Sequence, residues 1–319
     1  MRAVVTGAAG FIGSHVAALL AERGFDVTGV DCFTDYYSRE QKTANLATLA
    51  HFPRFQFVEA ALQTANLDAL LDGATHVFHL AAQAGVRRSW GTDFSIYTSH
   101  NVDATQRLLE AVKSRQIARF VYASSSSVYG DLVALPMREE ALLHPVSPYG
   151  VTKLAAEHLC YLYYANYQVP TVSLRYFTVY GPRQRPDMAF HKFIRATLTG
   201  QAITIYGDGE QTRDFTFVAD AARATVAAGD RGRPGAVYNI GGGSRVTINS
   251  VLDRLAAITG RTLDVRREDP QKGDMRDTFA DTTRAREDLD FRPAYGLEAG
   301  LTAEYEWLAG LVHEARRSS

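Results

Sequence analysis

The feature that most constrains this chain is a glycine-rich turn near its first residue. Gly7, Gly10 and Gly13 follow a β-branched run that ends at Thr6, and a helical pattern begins at Ile12. In such a turn the first glycine allows the tight bend, the second lets the backbone approach a pyrophosphate, and the third lets the helix pack closely on the sheet. Free N–H groups at the helix start face the anion. The spacing predicts a dinucleotide site, and glycines that only shape the turn are the alternative.

Short apolar runs alternate with longer helical patterns through the first 180 residues. This alternation predicts a parallel sheet with helices on both faces, a Rossmann doubly wound α/β fold. The predicted strands are residues 3–6, 26–30, 55–58, 76–80, 119–123 and 171–176, and the predicted helices are residues 12–23, 101–113 and 148–167.

The regularity weakens after Gly181, which predicts a smaller α/β lobe for the substrate. We therefore divide the chain into a dinucleotide-binding domain, 1–176, and a mainly substrate-binding lobe, 177–319. A segment near 214–240 is expected to return to the first domain, with residues 236–240 as a strand of the main sheet. A final amphipathic helix is predicted at 297–315.

Composition excludes several partners. The 34 Lys and Arg residues balance 35 Asp and Glu residues, which argues against nucleic acid as a partner. The two cysteines are too few for a disulfide framework, and none of the nine histidines has metal-ligand spacing, so we expect no metal. Because the chain has no apolar run of 18 residues, we expect a cytoplasmic protein without a membrane anchor.

Asp31 ends the second predicted strand, 18 residues after Gly13. A carboxylate at this point can accept hydrogen bonds from both ribose hydroxyls and would repel a 2′-phosphate, which favours NAD over NADP. The nearby cations Arg39 and Lys42 favour the opposite choice.

A Tyr/Lys pair indicates general acid–base chemistry. Tyr149 and Lys153 are four residues apart at the start of a predicted helix, so they share one face, and they follow a run of serines, 124–127, at a strand end. A neighbouring ammonium and an oxidised nicotinamide would stabilise the phenolate, so that Tyr149 could act as a general base near neutral pH. The alternative for the serines is a hydroxyl-rich turn.

These residues resemble the extended short-chain dehydrogenases, and among them the nucleotide-sugar epimerases. The resemblance runs from Arg2 to about Asp288 and rests on TGAAGFIGSH from Thr6, HLAA from His79, ASSSSVYG from Ala123, SPYGVTKLAAE from Ser147, RYFTVYGPRQRPDMAF from Arg175, YGDGEQTRDF from Tyr206 and QKGDMRDTFAD from Gln271.

The resemblance implies a set of site residues. The catalytic residues it implies are Ser125, Tyr149 and Lys153. The cofactor-binding residues include the glycine turn and Asp31. They are Gly7, Gly10, Phe11, Ile12, Gly13, Asp31, Leu62, Leu80, Ala81, Ala82, Asn101, Tyr149, Lys153 and Tyr176. The substrate-binding residues are Arg88, Ser125, Ser126, Ser127, Thr178, Arg185, Ile205, Tyr206, Arg213, Gln271 and Asp274, with Arg185 and Arg213 expected at the diphosphate. One departure stands out, since Ala60 and Ala61 replace a Gly-Asp pair of the family, so we expect weaker cofactor binding.

Three features narrow the choice of reaction and substrate. Related dehydratases and decarboxylases carry acidic residues where this chain has Ser126 or Ser127, and these hydroxyls favour epimerisation. The segment 177–188, with Thr178, resembles the UDP-glucuronate 4-epimerases more than the UDP-galactose 4-epimerases, which carry Asn there. A small Thr278, aligned with a bulky Tyr of galactose-type enzymes, indicates a roomier pocket.

The expected activity is therefore NAD-dependent C4 epimerisation of UDP-glucuronate to UDP-galacturonate through a 4-keto sugar. The alternatives are a UDP-glucose/UDP-galactose or N-acetyl-sugar 4-epimerase, an NAD-dependent sugar-nucleotide dehydrogenase, and a nucleotide-sensing protein without catalysis. The helices at 101–113 and 148–167 resemble those that pair subunits in this family, so a homodimer is expected; the stripe Leu159, Leu162, Tyr163 and Tyr167 fits internal core equally well.

Overall fold

Thirteen short strands and eleven α-helices alternate along residues 1–317, which the computed structural model of the protein describes. The strands are β1 (Arg2–Thr6), β2 (Asp26–Asp31), β3 (Phe55–Glu59), β4 (His76–His79), β5 (Arg119–Ser125), β6 (Thr171–Tyr176), β7 (Val179–Tyr180), β8 (Ile203–Tyr206), β9 (Thr212–Asp214), β10 (Thr216–Phe217), β11 (Val237–Ile240), β12 (Arg245–Thr247) and β13 (Val265–Glu268). The helices are α1 (Phe11–Glu22), α2 (Arg39–Ala47), α3 (Leu67–Leu70), α4 (Phe94–Tyr97), α5 (Ala104–Val112), α6 (Pro148–Tyr167), α7 (Ala189–Thr199), α8 (Val218–Arg231), α9 (Ile248–Thr259), α10 (Thr283–Leu289) and α11 (Leu297–Arg317).

Seven of the strands form one parallel sheet in the order β11-β6-β5-β4-β1-β2-β3. The order reverses direction at β1, because β2 and β3 lie on one side of it and β4, β5 and β6 on the other. All six predicted strands are present in this sheet, and the predicted Rossmann α/β fold is confirmed. Ligands bind such sheets at the carboxyl ends of the strands near the point of reversal.

Both faces of the sheet are covered by helices, as successive residues of β1 illustrate. Ala3 and Val5 are buried in one core with residues of α1 and α8, whereas Val4 is buried in a second core with residues of α5 and α6. Side chains that alternate between two buried faces explain why the strands are continuously apolar in sequence.

The predicted helix at 101–113 is part of a longer helical run. It begins with α4, passes through a π-helical turn at Thr98–Asp103 and continues as α5. The sequence prediction began this helix too late, because Phe94–Val112 is helical without interruption. The predicted helix at 148–167 is α6, with the same bounds, and the predicted C-terminal helix is α11.

The chain returns to the main sheet after residue 217. Helix α8 packs beside α1, and β11 pairs with β6 at the edge of the sheet, as expected for the return segment. The strands β7 to β10, β12 and β13 form three two-stranded ladders, and α11 packs against α7 and α9. The division at residue 176 into a cofactor domain and a substrate lobe stays a proposal. No helix within residues 1–317 combines the length and apolarity that a membrane span needs.

Candidate active site

The glycine turn joins β1 to α1 in a conformation that requires glycine. Gly7 has a φ of +73°, and a Cβ there would lie 2.8 Å from the Ala81 amide nitrogen. A Cβ at Gly13 would lie 2.0 Å from the Gly7 carbonyl oxygen. Gly10 is the N-cap of α1 and carries no capping side chain, so the first N–H groups of the helix are open to a ligand. The turn therefore fits an anion such as a pyrophosphate.

A narrow cleft opens from this turn along the carboxyl ends of the parallel strands. It brings together all but one of the residues that the sequence assigned to the cofactor. The residues that line it are Gly7, Gly10, Phe11, Ile12, Gly13, Asp31, Leu62, Leu80, Ala81, Ala82, Tyr149, Lys153 and Tyr176.

Asn101, the remaining predicted cofactor residue, lies behind the cleft wall. Its side-chain oxygen accepts a hydrogen bond from the Gln83 amide (2.7 Å), and its amide nitrogen donates to the Gln83 carbonyl oxygen (3.0 Å) and to the Thr152 hydroxyl (2.9 Å). It is 1% exposed and lies in the π-helical turn. Asn101 therefore supports the cleft wall and the start of α6, and π turns of this kind are frequent at functional sites.

The far end of the cleft holds Asp31, and the two nearby cations are already engaged. The Arg39 guanidinium makes a two-pronged contact with the Glu59 carboxylate, at 3.0 and 2.5 Å. The buried Lys42 ammonium donates to the Thr34 carbonyl oxygen at 2.6 Å. Because Glu59 holds the Arg39 guanidinium, that cation is not directed at a 2′-phosphate, and the carboxylate of Asp31 at the strand end favours NAD over NADP.

The catalytic residues predicted from sequence meet at the other end of the cleft. Ser125 is the last residue of β5, and Tyr149 and Lys153 project from the first turns of α6. The N-cap Ser147 starts this helix by accepting a hydrogen bond from the Gly150 amide at 3.1 Å. The cap fixes where α6 begins and hence which face carries the Tyr/Lys pair.

Burial shifts the pKa of both members of the pair toward the neutral form. It raises the pKa of the Tyr149 phenol, and the Arg185 guanidinium and a hydrogen bond with Ser125 oppose that rise. It lowers the pKa of the Lys153 amine to about 7, and the ammonium lies 4.5 Å from the centre of the Tyr122 ring. Two proton-exchanging groups lie side by side in a desolvated cleft, which is the arrangement of a general acid–base site.

A second cavity, of about 600 Å³, adjoins the first. Tyr36 contributes to the walls of both. The predicted substrate residues that line the second cavity are Arg88, Thr178, Ile205, Tyr206, Arg213 and Asp274. Its volume is in the range of small-molecule sites.

Arg213 is the cation of this cavity best suited to a diphosphate. Its guanidinium donates to the carbonyl oxygens of Thr212 and Arg276, both at 2.9 Å. Within residues 1–317 it has no carboxylate within ion-pair distance, and burial lowers its pKa. A desolvated guanidinium without a carboxylate is ready to receive an anionic ligand.

Other polar residues of this cavity are paired with each other. Arg87 makes an ion pair with Asp274 at 2.6 Å, and its guanidinium lies 4.1 Å from the centre of the Tyr206 ring. Arg88 lies over the Tyr36 ring at 5.2 Å. Sequence reasoning did not assign Arg87 to the site, although it is adjacent to Arg88.

Arg185 does not lie with Arg213 in the second cavity. It lines the first cleft and makes a two-pronged contact with Asp187, at 3.0 and 3.1 Å. The reason is local, because the carboxylate two residues later holds the guanidinium fork toward Tyr149. Because its partner Asp187 lines the second cavity, the Arg185 guanidinium lies where the two cavities meet, and its contact with the diphosphate stays a prediction.

The other predicted substrate residues lie outside the lining of the second cavity. Gln271 is exposed, and its side chain donates to the Asp269 carbonyl oxygen at 3.3 Å. Ser126 and Ser127 form a 3₁₀ turn after β5, with Ser126 only 8% exposed. The turn lies against the start of α6, since a Cβ at Gly150 would lie 2.5 Å from the Ser127 carbonyl oxygen.

Several lining residues were not assigned to the site from sequence, and most of them lie on loops. The largest group follows Asp31, where Cys32, Thr34, Tyr36, Tyr37 and Lys42 reach the first cleft. Their position after the strand end was the available signal. Within the described residues, no group of three or more His, Cys, Asp or Glu side chains could hold a metal ion.

Comparison with known proteins adds three relatives. Residues 3–241 match the NAD dependent epimerase/dehydratase family. The chain is 44% identical to an uncharacterized UDP-glucose epimerase, YtcB, of Bacillus subtilis (strain 168), covering 98% of this chain and 99% of the relative. It is 36% identical to a UDP-glucuronate 4-epimerase of Thermodesulfobacterium geofontis (strain OPF15), over 95% of both chains. The solved UDP-glucuronic acid 4-epimerase of Bacillus cereus, in complex with UDP-glucuronic acid and NAD, superposes with a TM-score of 0.95 at 44% identity, over 98% of this chain and 100% of that one.

Proposed function

This chain belongs to the NAD dependent epimerase/dehydratase family, and we propose that it is a UDP-glucuronate 4-epimerase that uses NAD. The resemblance stated from sequence is thereby confirmed at the level of the family. One observation carries the proposal: Tyr149 and Lys153 lie in a dinucleotide cleft that adjoins a cavity with an unpaired guanidinium, Arg213. This arrangement brings the reacting carbon of a nucleotide sugar to the cofactor.

The cofactor would be held by the glycine turn at its pyrophosphate and by Asp31 at its ribose. The positions of Gly7 and Gly13 leave no room for a side chain, so the backbone itself forms the cradle. Bound NAD supplies the acceptor for the hydride of C4 and later its donor.

The protein's own part is to move one proton. Tyr149 takes the O4 proton as C4 is oxidised to a 4-keto sugar, and it returns the proton after the keto sugar has rotated and been reduced on its other face. Arg185 and a hydrogen bond with Ser125 stabilise the phenolate form of Tyr149, a protonated Lys153 would add to this effect, and Ser125 would donate a hydrogen bond at O4. We assign Arg185 to this role in addition to its predicted contact with the diphosphate, because it lines the first cleft.

The nucleotide would occupy the second cavity. Arg213 would pair with the diphosphate, with Arg88 nearby, and Asp274 would accept a hydrogen bond from the ribose. The backbone of Ile205 and Tyr206 borders the same cavity and would face the uracil. Gln271, which is exposed, would reach the nucleoside only from the cavity mouth.

A uronate substrate raises a specific difficulty. Its 4-keto form is a β-keto acid, which loses CO₂ when the C5–C6 bond aligns with the carbonyl π system. We propose that hydroxyls of Thr178, Ser126 and Ser127 hold the carboxylate out of that alignment. The Thr178→Ala and Ser127→Ala variants should then release UDP-pentose, detectable by mass spectrometry, and its absence would contradict this role.

A second candidate is a UDP-glucose 4-epimerase, which the name of the Bacillus subtilis relative favours. Thr278 is 1% exposed, so its small side chain does not by itself decide which sugar fits. A dehydrogenase would differ from both epimerases by accumulating NADH.

Proton NMR of the sugar decides among these activities. The purified protein is incubated with UDP-glucuronate, first without and then with added NAD⁺, and in parallel with UDP-glucose. UDP-galacturonate without net NADH is the expected result. Turnover of UDP-glucose alone would reject the uronate assignment, and stoichiometric NADH would reject epimerisation.

We also propose a homodimer in the cytoplasm. Helix α6 exposes Val151, Tyr161, Leu162 and Tyr167 to solvent, whereas Tyr163 of the predicted stripe is buried. Four large exposed apolar side chains on one helix are typical of a subunit contact. Light scattering at micromolar concentration should give twice the 35.1 kDa chain mass, and a monomer would reject the dimer.

A further inference from the structure

The segment 182–187, between β7 and α7, crosses the cofactor cleft and is tied to the N-terminal half of the chain. Each tie is a side-chain hydrogen bond between residues that are distant in sequence. The four are His15 Nε2 to the Pro182 carbonyl oxygen (3.0 Å), Arg183 Nη1 to Ser14 Oγ (3.3 Å), Gln41 Nε2 to the Gln184 carbonyl oxygen (3.0 Å) and the Tyr36 hydroxyl to Asp187 Oδ2 (3.1 Å).

These ties reach both sides of the cleft. Ser14 and His15 follow the glycine turn on α1, whereas Tyr36 precedes α2 and Gln41 lies on it. The two sides are close together here, since a Cβ at Gly10 would lie 3.9 Å from the Tyr37 hydroxyl. The segment therefore bridges the cleft at the end that would hold the cofactor pyrophosphate.

The segment is also anchored from behind. The buried Gln184 side chain donates to the Val179 carbonyl oxygen (3.1 Å) and accepts from the His191 amide (2.9 Å). The Gly181 amide donates to the buried Glu304 carboxylate at 2.7 Å. Because Arg183 has a φ of +69°, its backbone is held in a conformation that a non-glycine residue rarely adopts. The bridge is thus a preformed piece of structure.

We propose that residues 182–187 form a clasp that retains NAD in the protein through successive turnovers. The inference rests on the proposed function, because an epimerase returns its hydride to the sugar and has no need to release the dinucleotide, whereas a dehydrogenase must release NADH in every cycle. Retention is then set by residues outside the cleft lining, in particular Gln41 and Arg183.

Gln41 is the sharpest probe of the clasp. Its side chain contacts the Gln184 carbonyl oxygen and does not line the cleft, so Gln41→Ala removes a tie without removing a cofactor contact. Loss of one hydrogen bond between neutral groups corresponds to roughly a fivefold change in rate or affinity, and a bond from a charged group to more. We expect NAD to dissociate about fivefold faster from Gln41→Ala, and at least about twentyfold faster from Gln41→Ala/Arg183→Ala.

The measurement uses NAD alone. Protein loaded with radiolabelled NAD is mixed with excess unlabelled NAD, and the label that stays bound after desalting is followed with time. Gln56→Ala is the matched control, because Gln56 donates a similar hydrogen bond to the Thr28 hydroxyl (2.9 Å) on the edge of the main sheet, away from the clasp. Its NAD dissociation rate should equal that of the unmodified protein.

The outcomes separate the clasp from the proposed function. Unchanged dissociation from Gln41→Ala, with an unchanged melting temperature, would overturn the clasp even if UDP-glucuronate is epimerised. Faster dissociation supports the clasp even if UDP-glucuronate is not a substrate. A second readout applies if the double variant does not fold: activity of dilute Gln41→Ala should fall without added NAD and recover when NAD is supplied, and failure to recover would count against the clasp.

Discussion

Two buried charged groups lie four residues apart on helix α6, and their surroundings are opposite. Lys153 faces the cofactor cleft, where its ammonium lies over the Tyr122 ring and burial lowers its pKa to about 7. Glu157 faces the sheet, where it accepts three hydrogen bonds from the Arg175 guanidinium, at 2.6 to 3.2 Å, and one from the Ser124 hydroxyl at 2.6 Å.

The difference teaches how one helix serves two purposes. The Glu157–Arg175 pair is 5% and 3% exposed, and Arg175 also donates to the Tyr129 hydroxyl and the Glu139 carbonyl oxygen. Both charges are therefore compensated, and breaking the pair would leave one of them buried alone. Among the described residues no carboxylate lies within ion-pair distance of Lys153, so burial lowers its pKa and the charge is easily gained or lost. The reactive residue, Lys153, and the stabilising residue, Glu157, are therefore about one helical turn apart.

The largest effect is expected in the cofactor cleft, at Tyr149. Tyr149→Phe should lower kcat by about 10³-fold, within the range for loss of a general acid–base group. The melting temperature should hardly change, because the ring is kept. Initial rates by NMR and a thermal melt measure the two quantities. A variant that keeps a tenth of the original kcat would show that Tyr149 does not carry the proton.

The next largest effect is expected at the buried Glu157–Arg175 ion pair. Arg175→Met leaves the Glu157 carboxylate buried without its cation, and it should lower the free energy of unfolding by about 3 to 5 kcal/mol. The double variant Arg175→Met/Glu157→Leu should recover part of this loss, since no charge remains uncompensated. Urea unfolding measures both. If the double variant were less stable than the single one, the buried uncompensated charge of Glu157 would not be the cause of the loss.

The third effect concerns the pH dependence of Lys153. Its pKa is about 7 in the folded protein and 10.5 in the unfolded chain, so between these values the unfolded chain binds a proton that the folded one lacks. The free energy of unfolding should therefore rise with pH across this window. At pH 7 the cofactor-free Lys153→Met variant should be more stable by on the order of 3 kcal/mol, and the gap should close toward pH 10.5. A gap independent of pH would contradict this account.

The smallest effects are expected from substitutions of two neighbouring serines, Ser124 and Ser125. Ser124 donates to Glu157, about two turns into α6, whereas Ser125 contacts Tyr149 at the start of the same helix. We expect Ser125→Ala to lower kcat by roughly 30-fold with little change in stability. We expect Ser124→Ala to lower the free energy of unfolding by about 1 to 2 kcal/mol with kcat nearly unchanged. Equal effects of both variants on kcat would contradict the division of α6 into a reactive residue, Lys153, and a stabilising ion pair at Glu157.

Local patterns were enough for the cofactor side of the site. The glycine turn directly follows β1, Asp31 ends β2, and the Tyr149/Lys153 pair lies in the first turns of α6, all near the edge to which the parallel strands bring their carboxyl ends. The six strands were also predicted from local patterns. Because both faces of the sheet are buried, each strand is a continuous apolar run in the sequence. The helices of residues 177–319 other than α11 were not located, because their short amphipathic segments depend on partners from elsewhere in the chain.

Charged residues on loops were harder to assign. Arg185 has a sequence context that indicates a phosphate ligand, yet Asp187 turns it into the first cleft. Arg87 was passed over, yet it forms an ion pair with Asp274, which lies 187 residues later. A motif identifies a guanidinium but not the carboxylate that reaches it from another loop.

By itself the sequence determined the fold class and the dinucleotide cleft and led to the proposal that Tyr149, beside Lys153, transfers the proton, because these depend on spacings within single strand–turn–helix units. Only the tertiary structure decided which cations are free and which are paired, and that residues 182–187 bridge the cleft. The physical reason is distance along the chain. Hydrogen bonds such as that between Tyr36 and Asp187, 151 residues apart, form only after the whole sheet has assembled and brought the loops together.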